Sequence, residues 1–166
     1  MPHRVFIGIG SNLGERRDNV REARRRIAEL PKTRVVKESS LYESEPHGDA
    51  KTWFVNSVIE IETELGAPEL LKKLQAIEQE MGRKRAKGKR WGSRIIDLDM
   101  LFFDMETISK KTLKVPHPRI AQRRFVLLPL SELAPQLIHP ALSGSISHLL
   151  AKVQDKKKIH MLGAHN

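Results

Sequence analysis

The run Ile95-Ile-Asp-Leu-Asp-Met-Leu-Phe-Phe103 narrows the possible folds more than any other stretch of the chain. Its only polar residues are Asp97 and Asp99, two apart in an apolar segment. A strand alternates its side chains between two faces, so both carboxylates project to one side while Ile96, Leu98 and Met100 turn to the core. Like charges beside apolar surface repel each other, and burial raises the cost. The fold therefore needs a sheet with a covered face and, on the other side, something cationic near the acids. Two arrangements meet that need: an edge strand whose acids are solvated or bonded to nearby arginines, or a metal site. Oxygen donors without a neighbouring His or Cys favour Mg2+ over zinc.

The rest of the chain supplies elements around that strand. Arg4 to Gly10 reads as a buried strand, followed by a strand-to-helix turn over Gly10 to Gly14. Val20, Ala23, Ile27 and Leu30 recur at helical spacing before Pro31. Thr33 to Tyr42 is strand-like, Glu43 to Thr52 reads as a loop, and Phe54 to Thr63 alternates like a half-buried strand. A second helix opens near Pro68, carries Leu70, Leu74, Ile77 and Met81 on one stripe, and stops at Gly82. The acid-bearing strand, Arg94 to Phe103, comes next. Beyond Asp104 lie a Pro116-His-Pro118 turn, an apolar stretch from Phe125 to Leu133, a short helix near Ser145 to Val153 and a basic tail. The order β-α-β-β-α-β predicts a ferredoxin-like α/β (α+β) fold, an antiparallel sheet with helices on one face and the other free for a ligand. One domain spanning 1–166 is expected, with its core over about 4–153.

Composition matters chiefly through charge. Thirty Lys+Arg against twenty Asp+Glu leave a net +10, which points to an anionic partner. Seven of those cations (Arg83, Lys84, Arg85, Lys87, Lys89, Arg90 and Arg94) fall in one acid-free segment, and setting it aside lowers the surplus to +3. The chain has no cysteine, which excludes disulfides, thiolate metal sites and thiol nucleophiles. With no apolar run long enough to span a bilayer and no secretory signal, a cytoplasmic protein is expected.

Two phosphate-binding patterns fail. Gly8-Ile-Gly10-Ser-Asn-Leu13 has Leu where a dinucleotide fingerprint requires Gly, and Gly88-Lys89-Arg90 lacks the partners of a P-loop. The acid pair is stronger. Carboxylates that hold Mg2+ beside an arginine-rich loop are the usual equipment of phosphoryl transfer, and guanidinium groups suit bidentate phosphate binding. The plain alternative for the basic loop is a solvated face or a nucleic-acid patch. Phe54 and Phe125 are candidates to stack a planar ligand, Asn56 to read a heterocycle edge, and His117 to donate to a phosphate. Each has a structural alternative in the core or at the surface. Gln75 and Glu78 share a helix face, and the Arg16 to Arg26 cluster, mixed with Asp18 and Glu22, reads as solvated.

The run Arg90-Trp-Gly-Ser-Arg94-Ile-Ile-Asp97-Leu-Asp99-Met-Leu101 resembles the signature of the 6-hydroxymethyl-7,8-dihydropterin pyrophosphokinase family of folate biosynthesis. Gly8-Ile-Gly-Ser-Asn-Leu-Gly14, Tyr42-Glu-Ser-Glu-Pro46, Phe54-Val-Asn56, Gln75 with Glu78, Val115-Pro-His117 and Arg123-Arg-Phe125 match the family in the same order. The resemblance implies transfer of pyrophosphate from ATP to the pterin hydroxymethyl group, releasing AMP. It implies that Asp97 and Asp99 hold two Mg2+ ions, with Asp97 able to assist proton removal. Asn56 would read the pterin edge with backbone groups around Ser44 to Pro46, and Phe54 and Phe125 would sandwich the ring. Gln75, Glu78, Arg85, Trp91, Arg94, His117 and Arg123 would belong to the nucleotide side, and Arg83 and Arg94 to a loop that closes over the phosphates. The partners so implied are small molecules, with neither nucleic acid nor membrane, and a monomer is expected. Four departures stand out: a loop one residue longer between Arg85 and Arg90, Pro118 where an aromatic is familiar, Phe54 where tyrosine often stands, and a more polar pterin loop at Glu45 and His47.

Two rivals belong to other classes: a ferredoxin-like RNA-binding module, which the charge favours, and a non-catalytic nucleotide-binding regulator. RNA-binding modules of this fold stack bases on exposed aromatics. Aromatics here are only 5% of the chain, and Asp97 and Asp99 repel phosphates unless metal-bound.

Overall fold

The computed structural model describes residues 1–46, 51–82 and 95–163. Strand β1 (His3–Ser11) leads into helix α1 (Arg16–Ala28), then β2 (Thr33–Glu38), β3 (Leu41–Ser44) and the long β4 (Phe54–Thr63). Helix α2 (Ala67–Gly82) precedes β5 (Asp97–Phe103), a small hairpin of β6 (Ile108–Ser109) with β7 (Lys114–Val115), and a 3-10 turn at Ile120–Gln122. Helices α3 (Arg124–Leu133) and α4 (Ile146–Lys152) and strand β8 (Ile159–Gly163) complete the described chain. The main sheet runs β5-β1-β4-β3-β8, with β2 also on β4, and every pairing is antiparallel. This is the ferredoxin-like order the sequence predicts.

One face of the sheet carries α1 and α2. Val20, Ala23 and Ile27 of α1 and Leu70 of α2 are fully buried there against Val5, Ile7 and Ile59. Their spacing of three and four makes each helix amphipathic, and burying the stripes drives the packing. The opposite face is not free as expected. α3 and α4 cover much of it, burying Leu127, Leu130 and Ile146 against Phe6, Val58 and Phe102. β4 is therefore buried along nearly its whole length instead of half-buried, because it lies mid-sheet beneath helices on both sides.

Three further expectations change. The segment 33–42 is two strands, because side chains take the backbone groups that would continue the ladder. Arg24 donates to the Ser39 carbonyl at 2.7 Å, and the Glu132 carboxylate accepts from the Ser40 amide at 3.0 Å and from its hydroxyl at 2.9 Å. Glu43 and Ser44 belong to β3 instead of a loop, because the segment read as a basic tail pairs alongside as β8. The arginine cluster of α1 is not uniformly solvated either. Arg24 is buried and also donates to the Ser57 hydroxyl, while Arg16 pairs with Glu43 at 2.7 Å and donates to the Trp53 carbonyl at 2.7 Å.

The register between β1 and β5 slips between Phe6 and Ile7, leaving Leu101 as an extra residue opposite the break. The bulge reverses the alternation of β5. Leu101 and Phe102 both pack on the α3 side, and Phe103 returns to the α1–α2 side. Upstream of the bulge, Leu98 and Met100 sit in the α1–α2 core, so Asp97 and Asp99 face the other way, as the sequence predicts.

Candidate active site

The site occupies the part of the second face that α3 leaves open. Its floor is β1, where Gly8 pairs with Asp99 and Val58, and Gly10 with Asp97 and Asn56. The row Asp97, Gly10, Asn56, Tyr42 thus crosses four strands. Two glycines on one face of a strand put no side chain of β1 between the acids and Asn56, and the Leu101 side chain lies over Gly8. Adjacent strands lie about 4.8 Å apart, so the backbones of Asp97 and Asn56 are roughly 10 Å apart. A Cβ at Gly10 would stand 3.1 Å from Asn56 Oδ1, so glycine there sets the amide's position.

Phe54, Asn56, Asp97, Asp99, Arg123 and Phe125 line one pocket over this floor. Asn56 is buried and donates from Nδ2 to the Ser44 hydroxyl at 2.6 Å, which fixes the orientation of its amide. Phe54 is buried at the start of β4, and Phe125 stands in the first turn of α3. The Arg123 guanidinium lies 5.5 Å from the centroid of the Phe125 ring. Burial lowers the Arg123 pKa and Arg119 adds to that, while Asp99 and Asp97 oppose it. The guanidinium is thus the cation that the paired acids require.

His117 is tied to β5, its amide donating to the Leu101 carbonyl at 3.1 Å, and its Nδ1 accepts from the Arg119 amide at 3.3 Å. Burial pushes its pKa down, and the Arg123 and Arg119 charges push the same way. The ring is therefore neutral near pH 7 with its proton on Nε2, a donor for an anionic ligand.

The two residues of α2 separate. Glu78 is more than a solvated side chain: its Oε2 accepts from the Leu98 amide at 2.8 Å, tying α2 to β5 between the two aspartates. Gln75 is exposed and lines a neighbouring cavity with Leu71, Phe103 and Leu113, not the acid pocket. Ser44 reaches the pocket through Asn56, and Pro46 follows the end of β3. Arg83, Arg85, Trp91 and Arg94 lie outside the described residues. The glycine floor and Arg119 were missed by sequence reasoning. The Gly-x-Gly spacing within a strand was the available signal, since it puts both glycines on one face.

An antiparallel βαββαβ sheet whose open end joins paired carboxylates, an arginine and two phenylalanines in one pocket defines an α+β protein equipped for the chemistry of phosphorylated ligands. The sequence pattern described as 7,8-dihydro-6-hydroxymethylpterin-pyrophosphokinase matches residues 6–135. The chain belongs to that family. A 2-amino-4-hydroxy-6-hydroxymethyldihydropteridine pyrophosphokinase of Pseudomonas aeruginosa is 45% identical over 141 residues, covering 84% of this chain and 86% of that protein. A Bacillus subtilis protein of the same name is 40% identical over 154 residues, covering 92% and 91%. Among solved structures, Plasmodium falciparum HPPK-DHPS with pterin and p-hydroxybenzoate superposes with a TM-score of 0.71 at 16% identity, a likeness of fold. That match covers 92% of this chain, which spans only 43% of the larger protein.

Proposed function

We propose that this chain transfers the terminal pyrophosphoryl group of ATP to the hydroxymethyl group of 6-hydroxymethyl-7,8-dihydropterin, releasing AMP, in folate biosynthesis. The observation that carries the reading is the placement of Asp97 and Asp99 across two glycines of β1 from Asn56, in a pocket that Phe54 and Phe125 also line. In this reading the pterin ring stacks on the phenylalanines, with its hydroxymethyl arm toward the acids. Asn56, oriented by Ser44, reads the ring edge, together with backbone groups up to Pro46.

Asp97 and Asp99 suit Mg2+ because they are hard oxygen donors on one face of β5, with Arg123 as a counter-charge. When two such ions are bound, they neutralise the triphosphate and align it for in-line displacement. The chain's own residues do the rest. His117 and Arg123 hold phosphate oxygens, and Glu78 fixes the strand that carries the acids. Gln75 meets the nucleoside in the neighbouring apolar cavity. By the motif resemblance, Arg85, Trp91 and Arg94 join the nucleotide side, with Arg83 and Arg94 neutralising charge that builds in the transition state. The pterin oxygen bonds to the β-phosphorus as the bond to the α–β bridging oxygen breaks. AMP leaves with that oxygen, and the hydroxyl proton passes to Asp97. Such a reaction depends on alignment and charge more than on a strong base.

The RNA-binding reading loses its footing, because α3 covers the sheet face on which bases would stack and Phe6 and Phe102 are buried beneath it. Among the described residues no helix is long and apolar enough to cross a membrane. We read residues 1–166 as one domain acting as a cytoplasmic monomer on small molecules. Product analysis tests the reaction: with ATP, Mg2+ and the reduced pterin, AMP should appear one-for-one with a diphosphorylated pterin and vanish with EDTA. ADP in place of AMP would overturn the reading.

A further inference from the structure

The residues after α4 do more than extend the sheet. Helix α3 begins at Arg124, and its preceding residue, Arg123, supplies no capping side chain. The first-turn amides of a helix need acceptors, and a carboxylate there also meets the positive end of the helix dipole. Asp155, thirty-one residues downstream, supplies one: its Oδ2 accepts from the Arg124 amide at 3.1 Å. Its other oxygen accepts from the Lys157 amide at 3.0 Å, which turns the chain toward β3. There Lys158 and Glu45 bond reciprocally: the Lys158 amide donates to Glu45 Oε1 at 2.5 Å and the Glu45 amide to the Lys158 carbonyl at 3.0 Å. Lys157 Nζ donates to the Pro46 carbonyl at 3.3 Å, and Ile159 pairs with Ser44.

Residues 155–159 therefore bond two segments that hold pocket-lining residues, Phe125 directly and Asn56 through Ser44. At one end is the helix turn that carries Phe125. At the other is the segment Ser44 to Pro46, whose serine orients Asn56. We propose that this C-terminal strap sets the width of the pterin slot, with Asp155 as its positioning residue. The proposal rests on the pterin reading above. The strap touches none of Gln75, Glu78 or His117 in the described contacts, and it meets the phosphate-side Arg123 only through the next residue, so its effect should fall chiefly on the pterin. Asp155 touches no substrate; it acts through Arg124 on Phe125.

The test titrates the reduced pterin into the full-length protein saturated with Mg2+ and a non-hydrolysable ATP analogue. The analogue is titrated separately, and amide exchange at Arg124 is followed without ligands. Asp155→Ala should weaken pterin binding about 5- to 10-fold, the scale of one ordinary net hydrogen bond. It should leave the affinity for the analogue within about twofold and speed exchange at Arg124. Asp155→Asn, whose amide oxygen still accepts from Arg124, should recover most of the pterin affinity. Unchanged pterin affinity in Asp155→Ala, or equal weakening of both ligands, overturns the strap. Wild-type protein that binds the analogue but no pterin overturns the functional reading instead, before any variant is compared.

Discussion

The two faces of the central sheet are built from the same strands and do opposite work. On the α1–α2 face, β1 contributes Val5, Ile7 and Ile9, all buried in a continuous apolar core. The alternate residues Phe6, Gly8 and Gly10 face α3, where only Phe6 is core and the two glycines make the floor of a pocket. β5 divides the same way, with Leu98 and Met100 against α2 and Asp97 and Asp99 on the pocket side. A strand's period of two thus lets a single segment supply stability on one side and chemistry on the other. Changes on the first face should be read in folding, and changes on the second in turnover.

The largest effect should come from the pocket side. Asp97→Asn or Asp99→Asn is expected to lower kcat by about 10³-fold or more, the scale of removing a group that stabilises transition-state charge. Thermal unfolding should change little, since the repulsion relieved between the acids offsets the attraction to Arg123 that is lost. Near-normal turnover with Mg2+ would break the division of labour. The reverse experiment lies across the sheet, where Leu70→Ala should cost about 2–5 kcal/mol in denaturant unfolding. The folded fraction should keep its kcat; a matching loss there would mean that the two faces are coupled.

Gly10→Ala sharpens the comparison at its boundary. The new Cβ would crowd Asn56 Oδ1 at 3.1 Å, so the KM for pterin should rise by about tenfold with the KM for ATP unchanged. The smallest effect is one of pH. His139 is buried beside Phe102, and its Nδ1 accepts from the amides of Ala141 and Leu142, both at 3.1 Å. Burial lowers its pKa below the ordinary value near 6.5, only partly offset by a backbone hydrogen bond. Below that value the unfolded chain takes up a proton that the folded chain refuses. Stability should be level above about pH 7 and fall as the pH drops through 6.5 toward the folded value. His139→Asn should flatten that slope in a series of melts from pH 8 to pH 5.

What the sequence made legible follows from the same alternation. The order of elements, the shared face of Asp97 and Asp99, and the stripe Leu70, Leu74, Ile77 and Met81 depend on neighbours a few residues away. What it left hidden depends on distant partners. The break at Ser39-Ser40 needs Glu132, ninety-two positions later, and β8 exists as a strand only because β3 lies beside it. Glu78 looked like a surface residue because its partner is a backbone amide on another element. Of the site, the acids, Asn56 and both phenylalanines were readable as candidates, while the cover supplied by α3 was not, because an apolar stretch does not announce which face it will close.

The bond from Leu98 to Glu78 also bears on how separate copies of the chain meet. Among the described residues β5 is the outermost strand of its side of the sheet, and a margin of that kind, where uncovered, recruits extended peptide from other molecules. Here the amide between the two aspartates is already taken by a carboxylate, and the Leu101 carbonyl by the amide of His117. A strand arriving from solution would find those two positions occupied and its own carbonyl oxygens facing negative charge. The margin that bears the acids is thereby guarded against becoming a seed for aggregation.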